Sequence, residues 1–453
     1  MNILLPIETI NREIDFKLTL AALLATNGHK IYIGQHDFLV HLLPKLTNGL
    51  YIGKNIFHKR ADIEKGAIYK SLKERGIDIV YLHEEGAVFK GREDNWKKVL
   101  SSQYNLNFFD QNDIVCVWGE FQKRYDESRS DDLKIEVTGH PRFDLYKKKW
   151  LSFFQKDVEL LKDRYGKYIL VNGNYSTYNH GLGLDFIFSE KAGYQPEDSV
   201  KRMERIDFVK YTGGQCLSMV QLTHELSILY PEMNIIYRPH PSENQSFYET
   251  VFWGVKNIKV EHDGSVSSWI LGAEAIIHDG CTTAIEAALA RKPVINYKPI
   301  ENEATDIWLP NQLGVRCVSV NEVKSVIDKI EDYKFEIENV EKKDEIKDLM
   351  YNFGNDSFQK LLDVIKSKME DLVKNEALSP SDTFIQNQYL KQKVKAELSK
   401  VKNAKSKKAY EYHSRKFYGF DKTYVEEKIK VLEDMLSKKI TFKYHNPYLI
   451  EIK

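Results

Sequence analysis

Cysteine is scarce in this chain: four among 453 residues, Cys116, Cys216, Cys281 and Cys317, each standing alone. That excludes the close pairs that zinc sites and dithiol motifs require, and the four are expected to be reduced and mostly buried. No apolar run approaches the length of a membrane span. The opening MNILLPIETINREIDF has no basic stretch ahead of its short apolar run and carries Glu8 and Arg12 directly after it. It is therefore expected to be a strand and not a signal peptide, in a chain that stays in the cytosol. An excess of one charge is missing too: 66 basic residues stand against 66 acidic ones, which argues against a whole-molecule nucleic-acid binder. No Gly-x-Gly-x-x-Gly follows a strand, no Gly-rich lysine loop is present, and no Asp-x-Asp pair of the metal-holding kind occurs. Chemistry without a metal or a cofactor is expected.

What is present is a soluble globular composition, 42% hydrophobic and 29% charged, in a chain long enough for two domains and an appendage. The first part alternates strand and helix: NILLPIE, an amphipathic helix from Ile14 to Thr26 ending at Asn27-Gly28, then KIYIGQ, DIVYLHEEG, DIVCVWGE and KIEVTGHPRFD. After a charged helix, Leu151 to Arg164, a second series follows: YILVNGN, NIIYRPH, IKVEH, AEAIIHDG, PVINY and GVRCVSV, with helices such as Cys216 to Tyr230 between them. Gly183 to Glu204 reads as a long polar and aromatic loop. Repeated strand-then-helix order predicts two doubly wound Rossmann-like α/β domains, residues 1–150 and 151–355, with ligands at the carboxyl ends of the strands. From Ser357 the pattern is helical, and residues 356–453 form a Lys-rich C-terminal extension. In it, KQKVKAELSKVKNAKSKKAYEYHSRK, Lys391 to Lys416, is opposed only by Glu397 and Glu411. Two readings are open there: a solvated or oligomer-forming surface, or a stretch drawn to an anionic membrane leaflet.

Three strand ends carry residues with chemistry. In HDGCTTAIEAALA a short strand, Ala273 to Ile277, turns through Gly280, Thr282 and Thr283 into a helix. Thr282 or Thr283 is expected at the N-cap, with small residues that let an anion approach the backbone N–H groups. A plain helix cap is the structural alternative. In YLHEEGAVF the adjacent carboxylates of Glu84 and Glu85 precede Gly86, and a paired-carboxylate site can separate two pKa values so that one acts as a base. The plain alternative is a polar turn. In NIIYRPHPSE, Pro239 and Pro241 stiffen the backbone around His240, Arg238 can offer a planar fork to a phosphate, and His240 can hydrogen-bond a departing phosphate oxygen. Weaker candidates are Asn174 in VNGNYSTYNHG, His140 and Arg142 in VTGHPRFD, and Glu8, Arg12 and Glu13 in PIETINRE.

Together these stretches resemble the GT-B glycosyltransferases, in which two Rossmann-like domains face a cleft. More narrowly the chain is similar to bacterial surface-carbohydrate biosynthesis proteins related to the CMP-sialic acid and CMP-Kdo transferases. An acidic pair before Gly, a His-Pro pair and a Ser/Thr pair recur there, and appear here in that order as Glu84-Glu85-Gly86, His240-Pro241 and Thr282-Thr283. The resemblance covers about residues 1–350. It implies an acceptor domain first and a nucleotide-sugar domain second. Glu85, or else Glu84, would activate the acceptor hydroxyl. His240 would act on the donor phosphate, and Pro241, Gly280, Thr282, Thr283 and Asn174 would line the donor site; Arg238 is a donor-site candidate from its own position and departs from the family pattern. Glu8, Arg12 and Glu13 would meet the acceptor. The implied partners are a CMP-linked nucleotide sugar and a glycan or lipid-linked glycan acceptor; peripheral contact at the inner membrane face is the second reading of the basic tail, which lies outside the resemblance. A CDP-polyol phosphate transferase, a UDP-sugar 2-epimerase and a non-catalytic sugar-nucleotide-binding protein share the same general plan and stand as alternatives.

Overall fold

The computed structural model describes residues 1–453 apart from 26–28, 55, 57–65, 131, 331–342, 373–375, 403–409, 411–413 and 415. Two units emerge from the packing. The first is Met1–Ala87 with Trp96–Leu145 and Lys343–Lys453; the second is Val88–Asn95 with Tyr146–Lys342.

In the first unit the parallel strands are β1 (Asn2–Ile7), β2 (Lys30–Gln35), β3 (Gly49–Gly53), β4 (Ile77–Leu82), β5 (Ile114–Val117) and β6 (Lys134–Val137), in the order β2-β1-β3-β4-β5-β6. Every residue of β1 is buried, as expected of a central parallel strand covered on both faces. Helix α1 (Ile10–Leu24) follows β1. The chain runs outward from β1 to β2 and then returns to β3 on the other side of β1. That reversal leaves a crevice at the carboxyl ends of β1 and β3.

Two features depart from the sequence expectation. β3, Gly-Leu-Tyr-Ile-Gly, went unrecognised because a run of three apolar residues between glycines has too little periodicity to read. The stretch 356–453 is not purely helical and does not stand apart. It contains the helices Ser357–Asp371, Asp382–Lys402 and Lys422–Leu436, then β13 (Phe442–Asn446) and β14 (Leu449–Ile452). β14 pairs antiparallel with β2, Ile452 opposite Ile31 and Ile450 opposite Ile33. The Tyr418 and Tyr424 hydroxyls donate to Asn11 and Asp15 of α1, each at 2.6 Å. Of the basic run Lys391 to Lys416, residues 403–409, 411–413 and 415 lie outside the described residues, as does the helix end expected at Asn27-Gly28. Among the described residues no helix is long and apolar enough to cross a membrane.

The second unit holds β7 (Tyr168–Asn172), β8 (Asn234–Arg238), β9 (Ile258–Val260), β10 (Ala275–His278), β11 (Val294–Tyr297) and β12 (Val315–Cys317), all parallel, in the order β12-β11-β10-β7-β8-β9. The reversal of winding falls between β7 and β10. Ile169, Ile235, Tyr237 and Ile277 of the sheet pack with Cys216, Met219, Leu222 and Leu226 of the helix Ser199–Leu229. That helix starts well before the expected Cys216. Asp198 accepts the N–H groups of Val200 and Lys201 at 3.0 and 3.1 Å and fixes its beginning. The helix runs through Gly213-Gly214, a pair that weakens the helical pattern in the sequence. Part of the expected loop Gly183–Glu204 is therefore helical, with short turns at Leu184–Ile187 and Glu190–Ala192 before it.

Candidate functional site

In the first unit the acidic and basic residues read from the sequence converge at the crevice. The Glu13 carboxylate accepts the backbone N–H groups of Glu8 and Thr9, both at 3.1 Å, so it caps the start of α1 and is occupied by its own chain. Arg12 spans from α1 to the turn after β4, one guanidinium nitrogen 3.3 Å from Glu85 Oε1 and the other donating to the Glu84 carbonyl at 3.1 Å. Glu8 lies between Lys54 and Lys416, each 3.4 Å away. These contacts give Glu8 and Glu13 structural partners where acceptor contacts were expected.

The adjacent pair divides its labour. Glu84 is buried, its Oε2 3.3 Å from His140 Nε2 and 3.9 Å from Arg142. His140 Nδ1 accepts the Arg142 N–H at 3.2 Å, which leaves the ring hydrogen on Nε2, toward Glu84. Burial pushes His140 down to about 4, so it is neutral at physiological pH. Burial alone would raise the Glu84 carboxyl; His140, Lys54 and Lys17 outweigh it and hold it well below the ordinary range. Glu13 is raised, by burial first and by the Glu84 charge second. Glu13 and Glu84 are thus a pair of carboxyls whose titrations are pushed apart. Glu85 keeps 48% of its side chain exposed. Glu85 is thus open to solvent and held by Arg12, while Glu84 is buried beneath the turn. Gly86 belongs to the same device: a Cβ there would lie 2.3 Å from the Trp118 ring.

Sequence reasoning missed Lys17, which is fully buried and donates to the Ile52 carbonyl at 3.3 Å. Its position one turn after Glu13 on α1 was the available signal. Asn352 was missed for want of any local signal. Its amide donates to the His140 carbonyl and accepts the His140 N–H, both at 3.0 Å, from a segment far along the chain.

In the second unit Asn174, His240 and the Gly280–Thr283 turn follow β7, β8 and β10, three adjacent strands, on one edge of one sheet. Asn174 and Thr282 flank the reversal of winding, the place where a doubly wound sheet opens for a ligand. The His240 turn is held by a residue the sequence analysis did not select. Glu243 is buried, and its carboxylate accepts the N–H groups of His240 at 3.0 Å and Tyr175 at 3.1 Å, together with the Tyr248 hydroxyl. Burial raises Glu243 to about 7. Within the turn, Ser242 N–H donates to His240 Nδ1 at 3.2 Å, so a neutral His240 carries its hydrogen on Nε2. Pro241 sits between the two and fixes the backbone. The turn after β10 is held similarly: His278 Nδ1 accepts the Gly280 N–H at 2.9 Å. Gly280 has φ +123, a conformation that favours glycine.

Two expectations are corrected. Arg238 does not present its fork outward. Its guanidinium donates to the Asp263, His262 and Gly264 carbonyls at 2.9, 3.4 and 3.3 Å and lies over the Trp269 ring. Thr282 is not an N-cap in the usual sense: its backbone is already helical and its side chain makes no capping bond. The helix it precedes, Thr283–Leu289, has seven residues, too short to lend much dipole to an anion. Any ligand at this turn would be held chiefly by hydroxyls and backbone N–H groups. Asn174 is exposed, and its side-chain oxygen accepts the Ser176 hydroxyl at 2.8 Å. Beyond the turn, Lys298 is buried and donates to Asp306 and the Tyr211 hydroxyl, both at 2.7 Å, and to the Asp279 carbonyl at 3.3 Å. Burial raises Asp279 to about 6 even beside Lys298.

No family model matches the sequence, and no protein of curated function matches it. Among solved structures, the chain is similar to the wall teichoic acid polymerase TagF, at 9% identity and a TM-score of 0.48, over 83% of this chain and 90% of that one. It is similar to Methanocaldococcus jannaschii UDP-GlcNAc 2-epimerase in complex with UDP-GlcNAc and UDP, at 13% identity and a TM-score of 0.49, over 81% and 100% of the two chains. A glycosyltransferase from Rickettsia africae aligns at 13% identity and a TM-score of 0.41, over 82% and 99%. At these scores no property of those proteins is carried over to this one.

Proposed function

We propose that the protein is a glycosyltransferase of GT-B type that moves a sugar from a nucleotide-activated donor to a hydroxyl of a surface-polysaccharide acceptor. The observation that carries this reading is the edge of the second sheet, where Asn174 and Thr282-Thr283 flank the reversal of winding and His240 stands on a braced turn one strand away. A phosphate at that edge meets hydroxyls, backbone N–H groups and an imidazole that can donate from Nε2 as charge grows on the leaving oxygen. In the first unit Glu85 supplies an exposed carboxylate, fixed by Arg12, able to take a proton from an acceptor hydroxyl. The resemblance adds a CMP-linked ulosonic acid as the donor to try first and a lipid-linked glycan as the acceptor, and the basic tail adds contact with the membrane face.

The test is incubation of the full chain with CMP-, CDP- and UDP-linked donors and a polysaccharide acceptor. Release of nucleotide that depends on acceptor supports transfer. Interconversion of a UDP-sugar without acceptor, or binding with no turnover, would overturn it in favour of an epimerase or a binding protein.

A further inference from the structure

The roles in the proposed reaction leave out the C-terminal stretch, yet its residues 416–420 meet the start of α1 within the first unit. Lys416 Nζ lies 3.4 Å from a Glu8 carboxylate oxygen, and the Tyr418 hydroxyl donates to Asn11 Oδ1 at 2.6 Å. Beside Asn11 in the first turn of α1 stands Arg12, the residue that holds Glu85. Two neighbouring residues of one helix thus tie the tail on one side and the exposed carboxylate on the other.

Tyr418 is presented there by its neighbours. Phe417 and Phe420 are buried, their ring centroids 5.1 Å apart, and Phe417 also stacks on Tyr448 at 5.9 Å. Gly419 has φ +109, a conformation that favours glycine, and a Cβ there would lie 3.0 Å from the Pro447 side chain. The Phe420 N–H donates to the Pro447 carbonyl at 2.8 Å. Backbone on either side of Tyr418 is therefore pinned, while its own ring, between two buried ones, is 59% exposed. A large apolar face left in water with its hydroxyl tied down is a rigid platform, and tyrosine offers such a face at little cost in conformational entropy.

A pyranose ring has the complementary chemistry. Its C–H face is apolar and can lie on an aromatic face, while its rim of hydroxyls needs polar groups around the platform. Lys416, Glu8, Asn11 and Arg12 supply them, all partly exposed. We infer that Tyr418 is an acceptor-binding residue, on which a sugar ring of the acceptor glycan stacks on its approach to Glu85. The inference rests on the transferase reading above and deepens it, since it makes the C-terminal stretch part of the acceptor site. Glu8 then serves the acceptor indirectly: its carboxylate holds Lys416, two residues before the platform.

Binding of the full chain to a printed array of bacterial surface oligosaccharides tests this, in the wild type and in Tyr418→Phe, Tyr418→Leu and Tyr418→Ala. Phenylalanine keeps the flat face and loses only the hydroxyl tie; leucine keeps apolar bulk without the face, and remains informative should Tyr418→Ala fail to fold. On the glycans that the wild type binds, Tyr418→Phe is expected to stay within about threefold, and Tyr418→Leu and Tyr418→Ala to weaken by about tenfold. Tyr418→Leu binding as well as the wild type, or Tyr418→Phe weakening as much as Tyr418→Leu, would overturn the platform and leave the transferase reading standing. If the wild type binds no glycan on the array, the acceptor reading itself falls, and this inference with it.

Discussion

The buried carboxylate of Glu243 accepts the backbone N–H of His240 at 3.0 Å. Only Pro241 and Ser242 separate the two in sequence, yet the acid also gathers the Tyr175 N–H and the Tyr248 hydroxyl. It ties the ends of β7 and β8 to the helix Gln245–Val251. Replacing Glu243 with Ala leaves those donors without an acceptor, and stability is expected to fall by about 3 kcal/mol. Activity should fall further than the loss of folded protein explains, since His240 loses its brace. Denaturant unfolding beside nucleotide-release assays separates the two. A variant that melts earlier but turns over normally when folded would show that the brace is structural only.

The same residue makes stability depend on pH. Burial raises Glu243 from an ordinary 4.5 to about 7, and Asp279 from 3.8 to about 6. The folded state therefore holds these protons more tightly than the unfolded chain. Their contribution is fully present below the ordinary carboxylate range and is lost as pH rises through 6 and 7. Thermal melts of Glu243→Gln should decline less than the wild type between about pH 5 and pH 8. Parallel declines would remove Glu243 from this role.

Glu85→Gln is expected to lower transfer by about a hundredfold or more while leaving nucleotide affinity within about twofold, because the carboxylate acts on the acceptor. Glu84→Gln should act differently. It removes the buried negative charge beside His140 and Arg142 and leaves the nearby cations uncompensated, so its first effect is a lower melting temperature. A folded Glu84→Gln enzyme without activity, beside an active Glu85→Gln, would reverse the assignment.

Arg238→Lys tests a donor contact against a loop tie. Lysine cannot reproduce a fork shared among three carbonyls and a ring. Melting should shift downward, and CMP affinity should change by less than about threefold at temperatures where the variant is folded. A large affinity loss with unchanged melting would return Arg238 to the phosphate.

How much of this was legible follows from where the information lies. Runs such as Ile31–Ile33 and Ile235–Tyr237 announce buried strands by composition, and the two doubly wound sheets follow from their order. The ends of β4, β8 and β10 were readable as places for chemistry because ligands gather at such ends. The division between Glu84 and Glu85 was not readable, since it depends on His140 and Arg142 arriving from a later strand. Nor was the partnership of β14 with β2, because a pairing between strands so far apart has no local signature.

That pairing also changes how the tail can be probed. Deleting residues 385–453 would strip β14 from β2 and remove Lys416, Tyr418 and Tyr424 from their partners. An insoluble product is the expected result, uninformative about membranes. On the helix Asp382–Lys402, Lys391, Lys393 and Lys395 are exposed around Leu390, Val394 and Leu398, which are 49%, 59% and 60% exposed. Changing the three lysines to Glu leaves the fold intact and should reduce sedimentation with anionic vesicles, as should moderate salt on the unchanged chain. Binding unaffected by either treatment would remove the membrane from the picture.

The course of synthesis is set by the same strand. The first unit is written in pieces on either side of the second, and β2 offers an open row of backbone donors and acceptors until Leu449–Ile452 has left the ribosome. The second unit, nearly all of it one stretch from Tyr146 to Lys342, can close its sheet while the first still waits. A nascent chain halted before residue 440 would thus carry a finished second unit and an unpaired edge, the form in which chaperone contact and mispairing between chains are most consequential.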